Sequence, residues 1–151
     1  MIGTTVVEVN NLNRDTNGNL STFSAFKYKT NYSNTAQSIG GNSTIDVFTD
    51  NNPGLLHWAA LKFNHNNHFF RLEVDGNNDF EVWVRQLNWE FQSGDFYNMM
   101  PIGYVIEGGN HVVMFHPKFP VQYDTSLKVQ AHNNTGSSKN LLSYWIGYSN
   151  L

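Results

Sequence analysis

Apolar residues alternate with polar ones at a period of two in short bursts along this chain, and Asn/Gly-rich turns separate the bursts. That pattern places successive side chains on opposite faces of an extended backbone. No stretch of a dozen residues carries a sustained 3.6 period, so the reading is β throughout, with no helix. Strands are expected over 5–9, 22–29, 43–48, 55–63, 68–74, 80–91, 102–107, 111–115, 126–132 and 141–148. About ten short strands at this spacing predict an all-β, single-domain antiparallel β-sandwich of jelly-roll or Greek-key type.

Turn chemistry supports the division. Gly and Asn tolerate positive φ, and they crowd into Gly40-Gly41-Asn42, Asp75-Gly76-Asn77-Asn78-Asp79, Glu107-Gly108-Gly109-Asn110 and Asn133-Asn134-Thr135-Gly136. Two hairpins follow: 69–74 into 80–84 across residues 75–79, and 102–107 into 111–115 across residues 108–110. A chain of 151 residues suits one domain, spanning 1–151. The longest polar stretch, 10–20, is the expected mobile loop or arm.

Charge excludes several functions. Asp, Glu, Lys and Arg make up 14% of the chain, against about 25% in ordinary soluble domains. Asn supplies polarity instead, at 22 positions, through codon bias or turn chemistry. Nine scattered Lys and Arg at a net charge of -3 form no basic stripe, which argues against nucleic acid. Without Cys there is no disulfide, zinc–thiolate site or thiol catalysis. No window reaches the roughly 20 apolar residues of a membrane helix. Met1-Ile2-Gly3-Thr4-Thr5 leads directly into a strand-like segment without a signal-peptide pattern, so secretion by that route is not expected.

Motifs for chemistry are sparse. Residues 75–79 space oxygen side chains like the start of a calcium loop, but Phe80 and Gln86 stand where that loop needs Gly and Glu, so a hairpin turn is the better reading. His65 and His68 are two ligands at most, and no cofactor or metal site is expected. Glu73 and Glu81 are expected on facing strands with Arg71 and Arg85 as counterions, a salt-bridge arrangement and not an acid–base pair. No Gly-x-Ser-x-Gly element is present, and the chain reads as non-enzymatic.

The aromatic inventory carries more weight. Trp58, Trp83, Trp89 and Trp145 stand among many neutral amides, a mixture suited to stacking on sugars and hydrogen bonding to their hydroxyls. Trp83 and Trp89 are the candidate glycan contacts; the competing role for each is filling the core. In residues 94–101 an apolar-rich irregular connection offers Phe96, Tyr97, Met99 and Met100 as the candidate contact with a partner subunit.

With its Met1 start, lack of Cys, Asn/Gly-rich turns and a closing run from Leu127 through Gly136 to Tyr144-Trp145-Ile146-Gly147-Tyr148, the chain resembles small β-sandwich virion proteins of tailed bacteriophages. Head decoration proteins, head fibres and receptor-binding tips belong to that group. The resemblance implies a non-enzymatic part, located in the virion, that contacts coat or other virion subunits and forms homo-oligomers. The alternative is a carbohydrate-binding or host-attachment module.

Overall fold

The computed structural model describes residues 12–14, 20–22, 28–90, 97–99 and 101–151, with the backbone alone at 12–14, 20–22, 28 and 97–99. Along the chain run β1 (Leu12–Arg14), β2 (Leu20–Thr22), β3 (Tyr28–Ser33), β4 (Gln37–Ile39), β5 (Ser43–Asp50), β6 (Gly54–Phe63), β7 (His68–Val74) and β8 (Asn77–Trp83). The helix α1 (Val84–Glu90) follows, then β9 (Tyr97–Met99), β10 (Ile102–Glu107), β11 (Asn110–Phe115), β12 (Val121–Tyr123), β13 (Leu127–Asn133) and β14 (Lys139–Asn150).

One sheet has the order β5-β13-β7-β8. The larger has the order β3-β14-β6-β11-β10-β9, with β4 also pairing with β14 and β12 with β6. Because β3 and β4 lie along successive parts of β14, and β11 and β12 along successive parts of β6, each couple acts as one strand line. The eight lines β3/β4, β5, β6, β7, β8, β11/β12, β13 and β14 then pair first with eighth, second with seventh, third with sixth and fourth with fifth. That wrapped pairing is a jelly roll, every ladder antiparallel. β9 and β10 widen the larger sheet at one edge, and β1 pairs with β2 in a ladder of its own.

The alternation read from sequence accounts for the two layers. In β7, His68, Phe70, Leu72 and Val74 point inward, while Phe69, Arg71 and Glu73 point outward; β13 alternates in the same way. Phe63, Leu61, Leu56, Ile146, Tyr104 and Tyr123 of the larger sheet meet Phe70, Leu72, Leu127 and Val129 of the smaller in one core. Each such side chain contributes roughly 1.5–3 kcal/mol when fully removed from water.

Both predicted hairpins form, on tighter turns than expected. Asp75 and Gly76 have φ of 51° and 82°, and Gly108 and Gly109 have 56° and 79°. These are two-residue loops with both residues left-handed, whose twist matches that of the strands they join. β8 therefore starts at Asn77 instead of Phe80, and a bulge between Leu72 and Glu73 in the β7–β8 register absorbs the extra residue.

The expected strand over 80–91 is corrected. It ends at Trp83, and residues 84–90 are helical. Val82 and Val84 continue the period of two, but Val84 and Leu87, three apart, are the buried pair. Gln86 donates to Glu90 across one turn at 3.0 Å. About two turns of helix are too short to show a period in the sequence. β1 and the start of β2 lie inside the stretch read as a mobile loop, 10–20. The strand expected over 5–9 lies outside the described residues, and residues 23–27 of the one expected over 22–29 do as well.

Gly54, at the start of β6, lies between two neighbouring strands: it pairs with Tyr123 of β12 and Asn150 of β14. A Cβ there would stand 2.3 Å from the Tyr123 hydroxyl oxygen and 2.5 Å from the Ser149 carbonyl oxygen. The Tyr123 hydroxyl is held in place, donating to buried Asp50 at 3.0 Å. Gly54→Ala is expected to cost about 2 kcal/mol through overpacking, read as a lower denaturant midpoint at unchanged slope.

Candidate functional site

The outer face of the smaller sheet is built in three rungs. Thr44, His132, Phe69 and Trp83 form the first; Asp46, Gln130, Arg71 and Glu81 the second; Thr49, Lys128, Glu73 and Asn78 the third. Side chains pair along them. Gln130 donates to Asp46 at 2.7 Å, Arg71 bridges to Glu81, and Lys128 bridges to Glu73 at 2.7 Å. Arg71 is thus the counterion of Glu81, as expected. Glu73, however, is neutralised by Lys128, and Arg85 serves neither carboxylate, because the helix carries it over the rings of Trp89 and Trp83, at 4.7 and 5.8 Å from their centroids.

The same helix brings together the two candidate glycan contacts. Trp83 and Trp89 meet edge to face with centroids 5.5 Å apart. Phe69 stacks on Trp83 at 5.8 Å and 10°. The Trp83 indole N–H donates to Asn67 at 3.0 Å, and the Asn67 amide donates in turn to the Asn134 carbonyl at 2.7 Å. Trp83 is therefore half-buried between Phe69 and Arg85, whereas Trp89 is 53% exposed. Of the candidate partner contacts, Phe96 and Met100 lie outside the described residues; Tyr97 and Met99 sit in β9, paired with Tyr104 and Ile102.

The outer face of the larger sheet holds a cleft of about 780 Å³, within the range of small-molecule sites. Register sets its shape. Tyr32, Trp145, Ala60, Met114 and Gly103 lie in one row across five strands. Tyr32 and Trp145 stack at 4.8 Å and 15°, one strand spacing apart. Ala60, on the other side of Trp145, ends at Cβ and leaves the floor low. Lys62 and Glu107 form an ion pair at 2.6 Å, with Asn34, Asn110 and Ser143 also lining the cleft. Hydrogen bonding and charge from Lys62 hold the Glu107 carboxyl below its usual range.

The sequence marks Trp145 as one of four tryptophans and as part of the closing run, and does not single out Tyr32, Lys62 or Glu107. The alternation of Trp145 with buried Ile146 is a usable sign that its ring faces outward. Nothing local indicates which residues on other strands stand beside it.

At one end of the sandwich, His65 and His68 lie with ring centroids 6.4 Å apart. His68 Nδ1 donates to the His65 carbonyl at 2.8 Å, and its ring stacks on Phe63 at 4.5 Å. Burial, the largest cause, and the nearby imidazoles push His68 down to about 4. Among the described residues no three His, Asp or Glu side chains are grouped to hold a metal. Asp75, first of the residues that suggested a calcium loop, accepts from the backbone N–H groups of Ser126, Thr125 and Asp124 at 3.0, 2.7 and 3.1 Å. Those bonds hold its carboxyl far below the usual range and pin the hairpin turn to the strand connection before β13. A further exposed anchor, Phe119, is 74% exposed between Pro117 and Pro120, with the Lys118 ammonium 5.6 Å from its ring centroid.

No protein-family model matches the chain, and no curated protein matches it. Among solved structures it is similar to the infectious bursal disease virus VP2 subviral particle, at 12% identity and a TM-score of 0.24, over 95% of this chain and 46% of that one. It is similar also to the T=1 particles derived from infectious bursal virus, at 11% identity and 0.23, over 95% and 45%. A third, the structure of the Gx strain of infectious bursal disease virus, matches at 11% identity and 0.21, over 95% and 46%. The chain spans less than half the length of the solved chains it matches.

Proposed function

We propose that this chain is a non-enzymatic structural module of a virus particle, a capsid-decoration or fibre subunit of a tailed bacteriophage that packs against coat or other virion subunits and against copies of itself. The observation that carries the reading is a jelly roll with large apolar side chains left exposed, Trp89 at 53%, Trp145 at 45% and Phe119 at 74%. Viral capsid and lectin domains share that architecture, and the step from it to a role is an analogy of fold. The exposed rings add an independent argument, because aromatic side chains standing out of a weakly charged surface are the anchors that protein interfaces bury. A non-enzymatic role is supported by the carboxylates: Glu73, Glu81 and Glu107 are each held by a cation.

Peptide mass spectrometry on purified particles and on the particle-free fraction of the source culture tests the reading. Many copies per particle are expected for a decoration subunit and a few for a fibre; absence from particles overturns the proposal.

A further inference from the structure

We propose that the cleft on the outer face of the larger sheet binds a neutral oligosaccharide of hexose or N-acetylhexosamine units, stacked on Trp145 and hydrogen-bonded to Lys62 and Glu107. This goes beyond a structural role in a particle and places binding on the sheet opposite Trp83 and Trp89.

The stacking surface follows from register. Trp145 has Tyr32 directly beside it on β3 and Ala60 directly beside it on β6. Tyr32 covers one indole face at 4.8 Å and braces the ring upright. Ala60 cannot cover the other, so that face stands over the cleft, and Trp145 keeps 45% of its surface exposed. A rigid aromatic face loses little entropy on binding, and its negative π-cloud attracts the C–H groups that line one side of a pyranose.

Polar groups around the floor select the ligand. The Lys62 ammonium is donor only and the Glu107 carboxylate acceptor only, while Asn34 and Asn110 offer both. Sugar hydroxyls also do both, and can bridge the Lys62–Glu107 pair without separating it. Charge narrows the class further. Lys62 is already neutralised by Glu107 at 2.6 Å, so the described residues lining the cleft leave no spare cation for a sialic acid, a sulfate or a phosphate, and an anionic ligand would face the Glu107 carboxylate. The floor between the polar groups is apolar, formed by Ala60, Val105, Val112 and Leu142, which suits the C–H face of a sugar and not a charged chain.

The test is a glycan microarray carrying neutral hexose and N-acetylhexosamine oligosaccharides beside sialylated and sulfated ones, probed with the full chain. Calorimetric titration of the best-bound neutral oligosaccharide then compares variants. Trp145→Ala is expected to bind about tenfold more weakly or worse, and Trp145→Phe within about threefold of the parent. Ala60→Leu, which fills the space beside the indole, is expected to lose binding while its circular dichroism and a cooperative unfolding transition report a retained fold, at a lowered midpoint because Ala60 is buried. Unchanged affinity in Trp145→Ala, a preference for acidic glycans, or no neutral oligosaccharide bound overturns the proposal. Copy number in particles is read separately, so failure of the glycan site and failure of the virion reading are distinguishable.

Discussion

Replacing Asn133 by alanine lowers the unfolding free energy by about 3 kcal/mol, the first of the two largest effects expected in this protein. Asn133 is fully buried at the end of β13. Its amide nitrogen shares two hydrogens among the carbonyls of Ile39 and Gly40, at 3.0 Å, and of Ser137, at 2.8 Å. Its carbonyl accepts from the Thr135 backbone N–H at 3.1 Å and from the Thr135 hydroxyl at 2.9 Å. One side chain thus ties the end of β4 to the turn between β13 and β14. Alanine takes this partner from the buried Ile39 carbonyl, the Gly40 carbonyl and the Thr135 N–H, while the Ser137 carbonyl keeps the Thr135 hydroxyl at 2.6 Å; a group that water cannot reach costs about 1–3 kcal/mol. Asn133→Asp is expected to be no better, because it sets a carboxylate against the same three carbonyls. Urea unfolding of both variants checks this; a loss below about 1 kcal/mol would mean that water reaches the vacated space.

Acid is the second. From pH 7 down to pH 4 the protein is expected to lose about 3 kcal/mol of stability through His68 alone. The sign follows from its environment. His68 is wholly shielded, and Nδ1 keeps its proton on the His65 carbonyl while Nε2 has no partner. Taking up a second proton would bury a charge with no acceptor for it. Its folded value of about 4 lies below the unfolded value near 6.5, so the unfolded chain binds the proton first. The stability it confers is complete above about pH 6.5 and is lost as pH falls toward 4. His57, His65, His111 and His132 are displaced in the same direction, each chiefly by burial, and steepen the same window. Asp50, Asp75 and Glu107 are held low and act in a more acidic range. His68→Gln should flatten stability between pH 6.5 and 4, and the His68 imidazole resonance should not titrate above pH 5. Titration near 6.5 would refute the account.

Expectations from the sequence succeeded and failed for identifiable reasons. The strand over 68–74 agrees with β7 and that over 102–107 with β10, since each has enough residues for its pattern to show. β4 and β12, three residues each, do not. Trp83 and Trp89 are the expected glycan contacts, yet the helix that brings them together falls where the sequence predicts a strand. Nor does anything in the sequence separate Asn133 from 21 other asparagines. Codon bias or turn chemistry is the expected source of the abundance of Asn, but Asn133, Asn67 and Asn64 each tie segments distant in the chain.

What the sequence by itself determined is the local alternation of faces, as along 68–74, and the stretches where the backbone reverses, 75–79 and 108–110. Those follow from each residue's own sterics and polarity, which neighbours a few positions away cannot override. Only the tertiary structure decided which outward residues stand side by side. Tyr32, Ala60 and Trp145 share a row because β3, β6 and β14 were brought into register by burying their opposite faces in one core. Register is a property of the whole wrap, since a slip of one residue would turn every inward side chain outward.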